Sequence, residues 1–496
     1  MKKTLFWVLS LMALVAVACT SGNDALTAGQ NLYLAAVGKE ASGDYVSAVN
    51  LYQQALPLLR QDGHDALARE CLIGLKQTFP VVADFSATEQ DIRDSLSQTF
   101  TITEEQINDL IPEIAYRDMG GIRYYYSDFV DTVIHLDLAL MQQLPAVMDR
   151  NRLGYTAVER FITIPGPVSG SPYINPIRYE AIATYHVPRN LLPVTGLMKI
   201  WQPVAIATDC QTDVTVISVT PEGYVVNPGT LDGNLGNIYL EVPLSDLSDD
   251  LHIEIRFEFT HYEQRFTMID PDGVGEYDRS NSLYREYTAS GKNIFITPEI
   301  AEKAKEIVGS EQNPYRAARL IYDYIVEHLT YSHMPYLAIE SLHIPAAVYV
   351  HEQGYGDCGA QSAYFASLCR ALGIPARTTG GYQLFPGMEG GHFWAEFYLP
   401  RYGWVPVDTS VAQIANYLPE LTLEEKQAYR DYLFGSMDPY RWVVQKDVDL
   451  PFSPPATERT LMTLALQMPA ALCDEIDNFP EEVLWPHYEI HFVPAP

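Results

Sequence analysis

The stretch from residue 353 to 410 constrains this chain most, because it holds a thiol, an imidazole and a carboxylate in separate local settings. A turn is predicted at 356–357, and Cys358 then begins a segment whose apolar residues recur at helical spacing. Gly373 ends the predicted helix. A helix N-terminus favours negative charge, so the pattern predicts a thiolate at Cys358 that attacks carbonyl carbon.

Two strands are predicted after this helix, at residues 376–384 and 392–399, with a loose glycine-rich loop between them. Because side chains alternate along a strand, His392 shares a face with Trp394 and Glu396. We interpret Trp394 and Glu396 as core and hairpin partners and leave them outside the catalytic set.

A hairpin then brings a carboxylate to the imidazole. If its loop is 399–401, Tyr398 faces Tyr402 and Asp408 faces His392. A carboxylate in that position fixes the tautomer of His392 and leaves the other ring nitrogen to act on Cys358.

Four motifs carry this arrangement: GDC at 356–358, RALGIPAR at 370–377, HFWAEF at 392–397 and GWVPVD at 403–408. In this order and spacing they resemble the catalytic core of the transglutaminase-like superfamily, which is related to papain-type cysteine peptidases. The resemblance implies that Cys358 is the nucleophile, His392 the general base and Asp408 the orienting acid. It also implies an α+β fold with a papain-like core.

An oxyanion site is a weaker part of the prediction. Tyr331 stands where the family often has an aromatic residue near the cleft, and Gln353 precedes the nucleophile. Either side chain, together with the backbone N–H of Cys358, is a candidate donor to an oxyanion.

The resemblance implies that the substrate is a protein or peptide amide, and no cofactor or metal is predicted. We expect hydrolysis of the acyl-enzyme over transfer to an amine, because the sequence shows no aromatic tunnel that would exclude water. Two alternatives stay open: a protein-crosslinking transglutaminase, and a non-catalytic scaffold that binds peptides or partner proteins. A lone cysteine is usually a small buried hydrophobe, and that is our interpretation of Cys369.

The amino terminus predicts export. Two lysines precede an apolar run at residues 5–17, which is short for a membrane span and typical of a signal peptide. Residues 16–19 resemble a bacterial lipobox, which implies lipidation of Cys19 and a bacterial envelope location. A plain secretory signal cut nearby is the alternative.

Charge excludes one class of partner. The formal net charge is −31 at pH 7, and removal of residues 1–18 with their two lysines lowers it to −33. Such a surface repels nucleic acid and anionic headgroups, so membrane attachment must come from a lipid. The remaining cysteines are scattered and show no zinc-site spacing and no disulfide framework.

The sequence predicts five segments. They are a signal peptide at 1–18, a helical region at 19–150, a β-sandwich at 151–285, the catalytic core at 286–450 and an extension at 451–496 that packs on the core.

Within the helical region, residues 43–58 resemble one tetratricopeptide-type repeat. This repeat is either a docking surface for a partner or a helical cap on its own chain. We expect the tail to complete the sheet of the core. The acidic segment 270–278 has carboxylates of the kind that bind calcium, but its glycine positions do not fit an EF-hand and favour a linker turn.

Overall fold

The computed structural model describes residues 26–462 and 464–495. The predicted signal peptide and Cys19 lie outside the described residues. None of the helices between residues 26 and 495 has the length and apolar content that a membrane crossing requires. The chain divides into two compact units, one made of residues up to 82 with 118–122, and one made of 83–117 with 123–496.

The first unit contains helices that follow one another through short turns: α1 (Ala28–Ala41), α2 (Tyr45–Gln61) and α3 (Asp65–Asp84). Asp44 begins α2 by accepting a hydrogen bond from the Ser47 backbone N–H. Small and aromatic side chains of α2, Ala48, Tyr52 and Ala55, form its buried face. The helical prediction for this region is confirmed, while the tetratricopeptide resemblance stays a prediction.

Short elements precede the sheets, and apart from residues 118–122 they belong to the second unit: β1 (Phe85–Ala87), α4 (Glu89–Thr99), α5 (Glu104–Leu110), β2 (Tyr116–Met119), β3 (Ile122–Tyr126), α6 (Phe129–Leu136), α7 (Leu138–Met141) and α8 (Pro145–Ile162). Of these, α6 and α8 reach the site described below. Pro145 occupies the first turn of α8, where its missing N–H costs no hydrogen bond.

Antiparallel strands follow, as their period-two pattern predicts: β4 (Tyr173–Val187), β5 (Leu197–Pro203), β6 (Gln211–Thr220), β7 (Val225–Asn227), β8 (Asn237–Pro243) and β9 (Leu251–Arg265). Alternate residues of β4, including Ala181, Ala183 and Tyr185, are buried. The strands divide between two sheets, and the buried hydroxyl of Tyr185 in one donates to Gln202 of the other. The sandwich geometry itself stays a prediction.

The core consists of helices and a small sheet: α9 (Ser282–Tyr287), α10 (Pro298–Val308), α11 (Pro314–His328), β10 (Thr330–Tyr331), α12 (Tyr336–Ser341), α13 (Ala346–Gln353), β11 (Tyr355–Gly356), α14 (Cys358–Ala371), β12 (Ala376–Phe385), β13 (Met388–Leu399), β14 (Gly403–Val407), α15 (Thr409–Ile414), α16 (Leu423–Tyr432), β15 (Ser436–Met437) and β16 (Arg441–Gln445). The sheet order is β14-β13-β12-β16, and α14 packs against β12 and β13. The chain is therefore a mixture of helix and sheet, as predicted.

The tail contains β17 (Ala470–Leu472), α17 (Glu481–Leu484) and β18 (Tyr488–Pro494). β17 pairs with β5 and β18 with β4, so the expectation that the tail completes the sheet of the core is wrong. The core sheet is extended by β16 instead. The tail still contacts the core, since Gln467 donates to the carbonyl oxygens of Gly381 and His392, each at 2.9 Å.

Two turns of the core sheet differ from their predictions. The expected loose loop before His392 is a two-residue turn at Pro386-Gly387, where Gly387 has a φ of 77°. The other glycines of that segment lie in β13. In the next hairpin Tyr398 pairs with Trp404, so the predicted pairing with Tyr402 is wrong.

The physical reason is the position of the glycine in the second turn. Gly403 has a φ of 83°, which suits the residue that closes a three-residue hairpin loop, and the loop is therefore 400–402.

Candidate active site

Cys358 is the first residue of α14, as the sequence predicts. Asp357 precedes it and caps the helix by accepting a hydrogen bond from the Ala360 backbone N–H at 3.0 Å and one from the Tyr336 hydroxyl. The backbone N–H groups of Phe393 and Gly359 face the Cys358 thiol. The thiol is therefore held between the start of a helix and the strand that carries His392.

The predicted thiolate at Cys358 is not supported. Burial and the adjacent Asp357 carboxylate raise the pKa of the Cys358 thiol well above its usual value, and the N–H groups of Phe393 and Gly359 oppose this only in part. The helix terminus compensates in part: its Gly359 N–H faces the thiol, while its Ala360 N–H binds the Asp357 carboxylate. Burial and the Asp357 carboxylate thus work against the thiolate form of Cys358.

His392 and Asp408 are in hydrogen-bond contact, with 2.8 Å between Nε2 of the ring and Oδ2 of the carboxylate. The register differs from the prediction, yet the contact forms because Asp408 lies just past the end of β14, where it caps α15. Its other oxygen accepts from the Val411 backbone N–H at 3.0 Å. Nδ1 of His392 is the ring nitrogen left for proton exchange.

Arg441 completes this arrangement, and the sequence analysis missed it. Its Nη1 donates to Oδ2 of Asp408 at 2.8 Å, and it also binds Asp438. Burial opposes ionisation of Asp408, but His392 and Arg441 outweigh burial and hold the pKa of Asp408 well below its usual value. An arginine directly before the apolar run 442–444 was the available signal, because a buried strand buries its first residue as well.

A cavity of about 170 Å³ gathers the candidate residues. Its lining residues are Asp131, Ile134, His135, Val147, Arg150, Asn151, Tyr331, His333, Cys358, Gln383, Met388, Gly391, His392, Ser410, Val411, Ile414 and Tyr417. Asp408 lies behind His392 with no exposed surface. The structure thus places Cys358, His392 and Asp408 around one cavity.

The two oxyanion candidates have different positions. Tyr331 lines the cavity, and β10 pairs with β11 so that Tyr331 lies opposite Gly356, two residues before Cys358. Gln353 is exposed at the end of α13 and does not line the cavity, so its inclusion was wrong. The reason is Gly354, whose φ of 75° ends the helix and turns the chain away.

The cavity has two walls. We call the lining residues between Tyr331 and Tyr417 the inner wall, and those between Asp131 and Asn151, from α6 and α8, the outer wall. The outer wall was not predicted, because nothing in the local sequence of α6 or α8 indicates what they pack against.

Contacts between the two walls begin at His333. Its Nδ1 lies 2.7 Å from Asp128, and its backbone N–H donates to Asp131 at 2.7 Å. Below them the buried hydroxyls of Thr132 and Ser332 are 2.7 Å apart. The hydrogen bond to Asp128 raises the pKa of His333 to about 9, whereas burial lowers the pKa of His135.

Among residues 26–495 as described, no cluster of three or more histidine, cysteine, aspartate or glutamate side chains is suited to a metal ion. In the acidic segment 270–278, Asp270 accepts from the Asp272 backbone, Asp272 binds Arg316 at 2.7 Å, and Asp278 binds Ser280. These carboxylates serve the turn and its neighbours.

The family model that matches this chain is the Transglutaminase-like superfamily, over residues 301–409. An uncharacterized protein from Haemophilus influenzae is 27% identical over 187 residues, which cover 32% of this chain and 49% of that protein. The chain therefore spans about half the length of this curated relative.

Among solved structures, a candidate cysteine protease from Cytophaga hutchinsonii superposes with a TM-score of 0.40 at 14% identity, covering 65% of this chain and 92% of that one. The periplasmic domain of TgpA from Pseudomonas aeruginosa gives 0.25 at 13%, covering 57% and 96%. With TM-scores this low, neither likeness carries an argument. The family match supports a thiol enzyme in general.

Proposed function

Because residues 301–409 form a transglutaminase-like domain, we propose that this protein is a cysteine hydrolase that cleaves amide bonds of proteins or peptides. The observation that carries the proposal is the 2.8 Å contact between His392 and Asp408 beside the cavity that Cys358 lines. An oriented imidazole next to a thiol at a helix start is the arrangement that nucleophilic acyl transfer requires.

In the first half-reaction, Sγ of Cys358 attacks the amide carbon while Nδ1 of His392 takes the thiol proton. The C–N bond then breaks, and His392 gives the proton to the leaving amine, which leaves a thioester on Cys358. The raised pKa of the thiol supports removal of its proton during attack, because a resting thiolate would be destabilised there.

Oxygen gains negative charge in each tetrahedral intermediate. We assign its stabilisation to the hydroxyl of Tyr331 and the backbone N–H of Cys358. Tyr331 lines the cavity, and its hydroxyl has no hydrogen-bond partner among the described residues. Tyr331→Phe is expected to lower kcat by ~10²-fold or more while KM changes little.

In the second half-reaction, water attacks the thioester carbon and His392 takes a proton from it. The C–S bond then breaks, the carboxylic acid leaves, and His392 returns the proton to Sγ of Cys358. Hydrolysis is favoured over transfer to an amine by the composition of the cavity, whose lining includes charged and polar side chains such as Asp131, Arg150 and Asn151. A wall of this kind hydrates readily, whereas aminolysis needs water excluded and the amine uncharged. The indoles of Trp394 and Trp404 are buried and contribute nothing to a tunnel.

The protein-crosslinking alternative is separated by product analysis. Purified protein should be offered peptides with Gln, Asn and ordinary amide bonds, with and without excess primary amine. Mass shifts of hydrolysis or cleavage that exceed amine incorporation support the hydrolase. Dominant amine incorporation would establish a transglutaminase, and no turnover of any peptide would favour a peptide-binding scaffold.

For location we propose export to a bacterial envelope and lipid anchoring through Cys19, supported by the sequence of residues 2–19. Mass spectrometry of the native amino terminus should find an acylated Cys19. A free terminus near Thr20 would show plain secretion. The helical unit of α1 to α3 is proposed as a contact for a protein partner.

A further inference from the structure

The outer wall of the cavity carries an arginine without a partner. Arg150 lies on α8 and is exposed, so it stands at the opening of the cavity that Cys358 lines. Its guanidinium makes no hydrogen bond or ion pair among the described residues. By contrast Arg152, two positions further along the same helix, binds Asp149 at 3.0 Å and Glu420 at 2.8 Å.

An unpaired arginine is informative in this chain because carboxylates are abundant. The chain has 63 Asp and Glu residues against 32 Lys and Arg residues. A surface arginine can therefore find a carboxylate of its own chain, as Arg152 does. A guanidinium presents its N–H donors as a fork that matches the two oxygens of a carboxylate. Arg150 keeps this fork open beside the cavity.

The other lining residues leave an incoming anion little to oppose it. None of the described inner-wall residues is acidic. On the outer wall, the carboxylate of Asp131 accepts from the His333 backbone N–H at 2.7 Å and lies 3.8 Å from Nδ1 of His135. The hydrogen bond to Asp128 raises the pKa of His333 to about 9, so its ring is protonated at neutral pH and offsets part of the charge of Asp131. Arg150 is the positive group that remains available.

The size of the cavity sets how far a bound anion lies from the nucleophile. The neighbouring Asn151 is buried and lines the same cavity, so this turn of α8 is packed against it. The volume of about 170 Å³ is smaller than that of pockets that hold drug-sized ligands. A peptide whose amide bond lies at Cys358 therefore reaches Arg150 with a group only a few residues away.

We propose that Arg150 binds a carboxylate of the substrate and thereby selects acidic peptides, with the carboxylate close to the amide bond that is cleaved. The inference deepens the proposed function and rests on it. The carboxylate belongs either to an Asp or Glu side chain or to the free carboxyl terminus of the peptide. The first source corresponds to cleavage within acidic segments, and the second to cleavage near a chain end.

The experiment measures kcat/KM of the full chain on matched peptides. One set carries Glu or the uncharged Met at successive positions on either side of a central amide bond, and the other set ends in a carboxylate or in a methylamide. At the favoured position the acidic peptide is expected to be ~10-fold better, mainly through KM, which is what a charge-assisted hydrogen bond at a partly solvated site provides. The set that shows the preference identifies the source of the carboxylate.

Variants of the arginine assign the preference. Arg150→Met should remove it by raising KM for the acidic peptide alone. Arg150→Lys should keep part of it, because an ammonium holds the charge without the fork. Arg150→Glu should reverse it, so that Lys is preferred over Glu at that position. Arg152→Met is the matched control, because it removes the same charge from the same helix outside the cavity, and it should leave the preference in place.

A second measurement does not need turnover. In the Cys358→Ala variant, fluorescence anisotropy gives the affinity of the same acidic and neutral peptides with and without Arg150→Met. Tighter binding of the acidic peptide that Arg150→Met abolishes supports the inference, so absence of turnover in the natural chain would remove the proposed function alone. Three results would overturn the inference: no difference between acidic and neutral peptides in either measurement, a preference that survives in Arg150→Met, or an equal loss of preference in Arg152→Met.

Discussion

The inner and outer walls of the cavity are held in different ways. Behind the inner wall, Asp408 is fully buried and its oxygens bind His392, Arg441, Ser410 and the Val411 backbone. The outer wall is joined to the inner side by hydrogen bonds to His333, by the Thr132–Ser332 pair and by the His135 ring, whose centroid lies 5.0 Å from those of Tyr331 and Tyr417. Arg150 is exposed and has no ion-pair partner among the described residues.

This difference predicts separate roles: chemistry for the groups at the inner wall and substrate access for the outer wall. Groups that move protons must keep their positions and charges, and a saturated hydrogen-bond network provides both. The outer wall carries none of the three candidate triad residues and meets the inner wall partly through ring packing. The comparison therefore predicts that inner-wall substitutions lower kcat and that outer-wall substitutions act on KM and stability.

The largest expected effect is that of Cys358→Ala. Because Cys358 is the proposed nucleophile, its loss should lower kcat/KM on the order of 10⁴-fold or more without unfolding the protein. Cys369→Ala on the same helix is the control, because Cys369 is fully buried outside the cavity. It should retain activity and lose about 1 kcal/mol in the free energy of unfolding, measured by urea denaturation. Comparable losses of activity in both variants would contradict the assignment.

Asp408→Asn is expected to lower kcat by ~10²–10⁴-fold, because an amide no longer holds the required tautomer of His392 or stabilises its charged form. Asp438→Asn removes a similar buried carboxylate from Arg441 without touching His392, and its effect on kcat should be much smaller. Steady-state kinetics at fixed pH measures both. Equal losses of kcat would show that Asp408 acts through its ion pair with Arg441 alone.

A smaller effect is expected from Thr132→Val, which removes one partner of the buried contact with Ser332. The cost should be about 1 kcal/mol in the free energy of unfolding, with a rise in KM and little change in kcat. Thr378→Val is the control, because the buried hydroxyl of Thr378 has no hydrogen-bond partner among the described residues. A drop in kcat with unchanged KM would contradict the separate roles that we assign to the two walls.

The smallest effect concerns the ion pair of His333 with Asp128, whose side chains are both about half exposed and therefore screened by solvent. The pKa of His333 is raised to about 9 from an ordinary value of 6.5. A raised pKa means that folding favours the protonated form. The stabilisation is complete below pH 6.5 and is lost as the pH rises through about 9.

Thermal unfolding of the natural chain and of His333→Asn between pH 6 and 10 tests this. The difference in Tm should be present at the acid end and absent at the alkaline end. Asp128→Asn should show the same pattern, since it removes the other partner. A Tm difference that grows with pH would show that the pair does not stabilise the fold in its charged form.

The main features of the core were accessible from sequence because they are local. Helical spacing with an acidic cap places Cys358 at a helix start, and alternation places His392 on a strand face. The contact with Asp408 was predicted correctly from an incorrect register. It formed because Asp408 caps α15, so its side chain turns back toward His392.

The features that sequence analysis missed depend on residues far apart in the chain. Arg441 reaches Asp408 from β16, and α6 and α8 come to the cavity from more than 200 positions before Cys358. The pKa of the Cys358 thiol also depends on packing in space, because burial and the Asp357 and Asp408 carboxylates raise it. The sequence by itself determined the reactive groups and the elements that carry them. Tertiary structure decided their electrostatics and the shape of the cavity, because desolvation and Coulomb interactions depend on packing in space and not on neighbours in the chain.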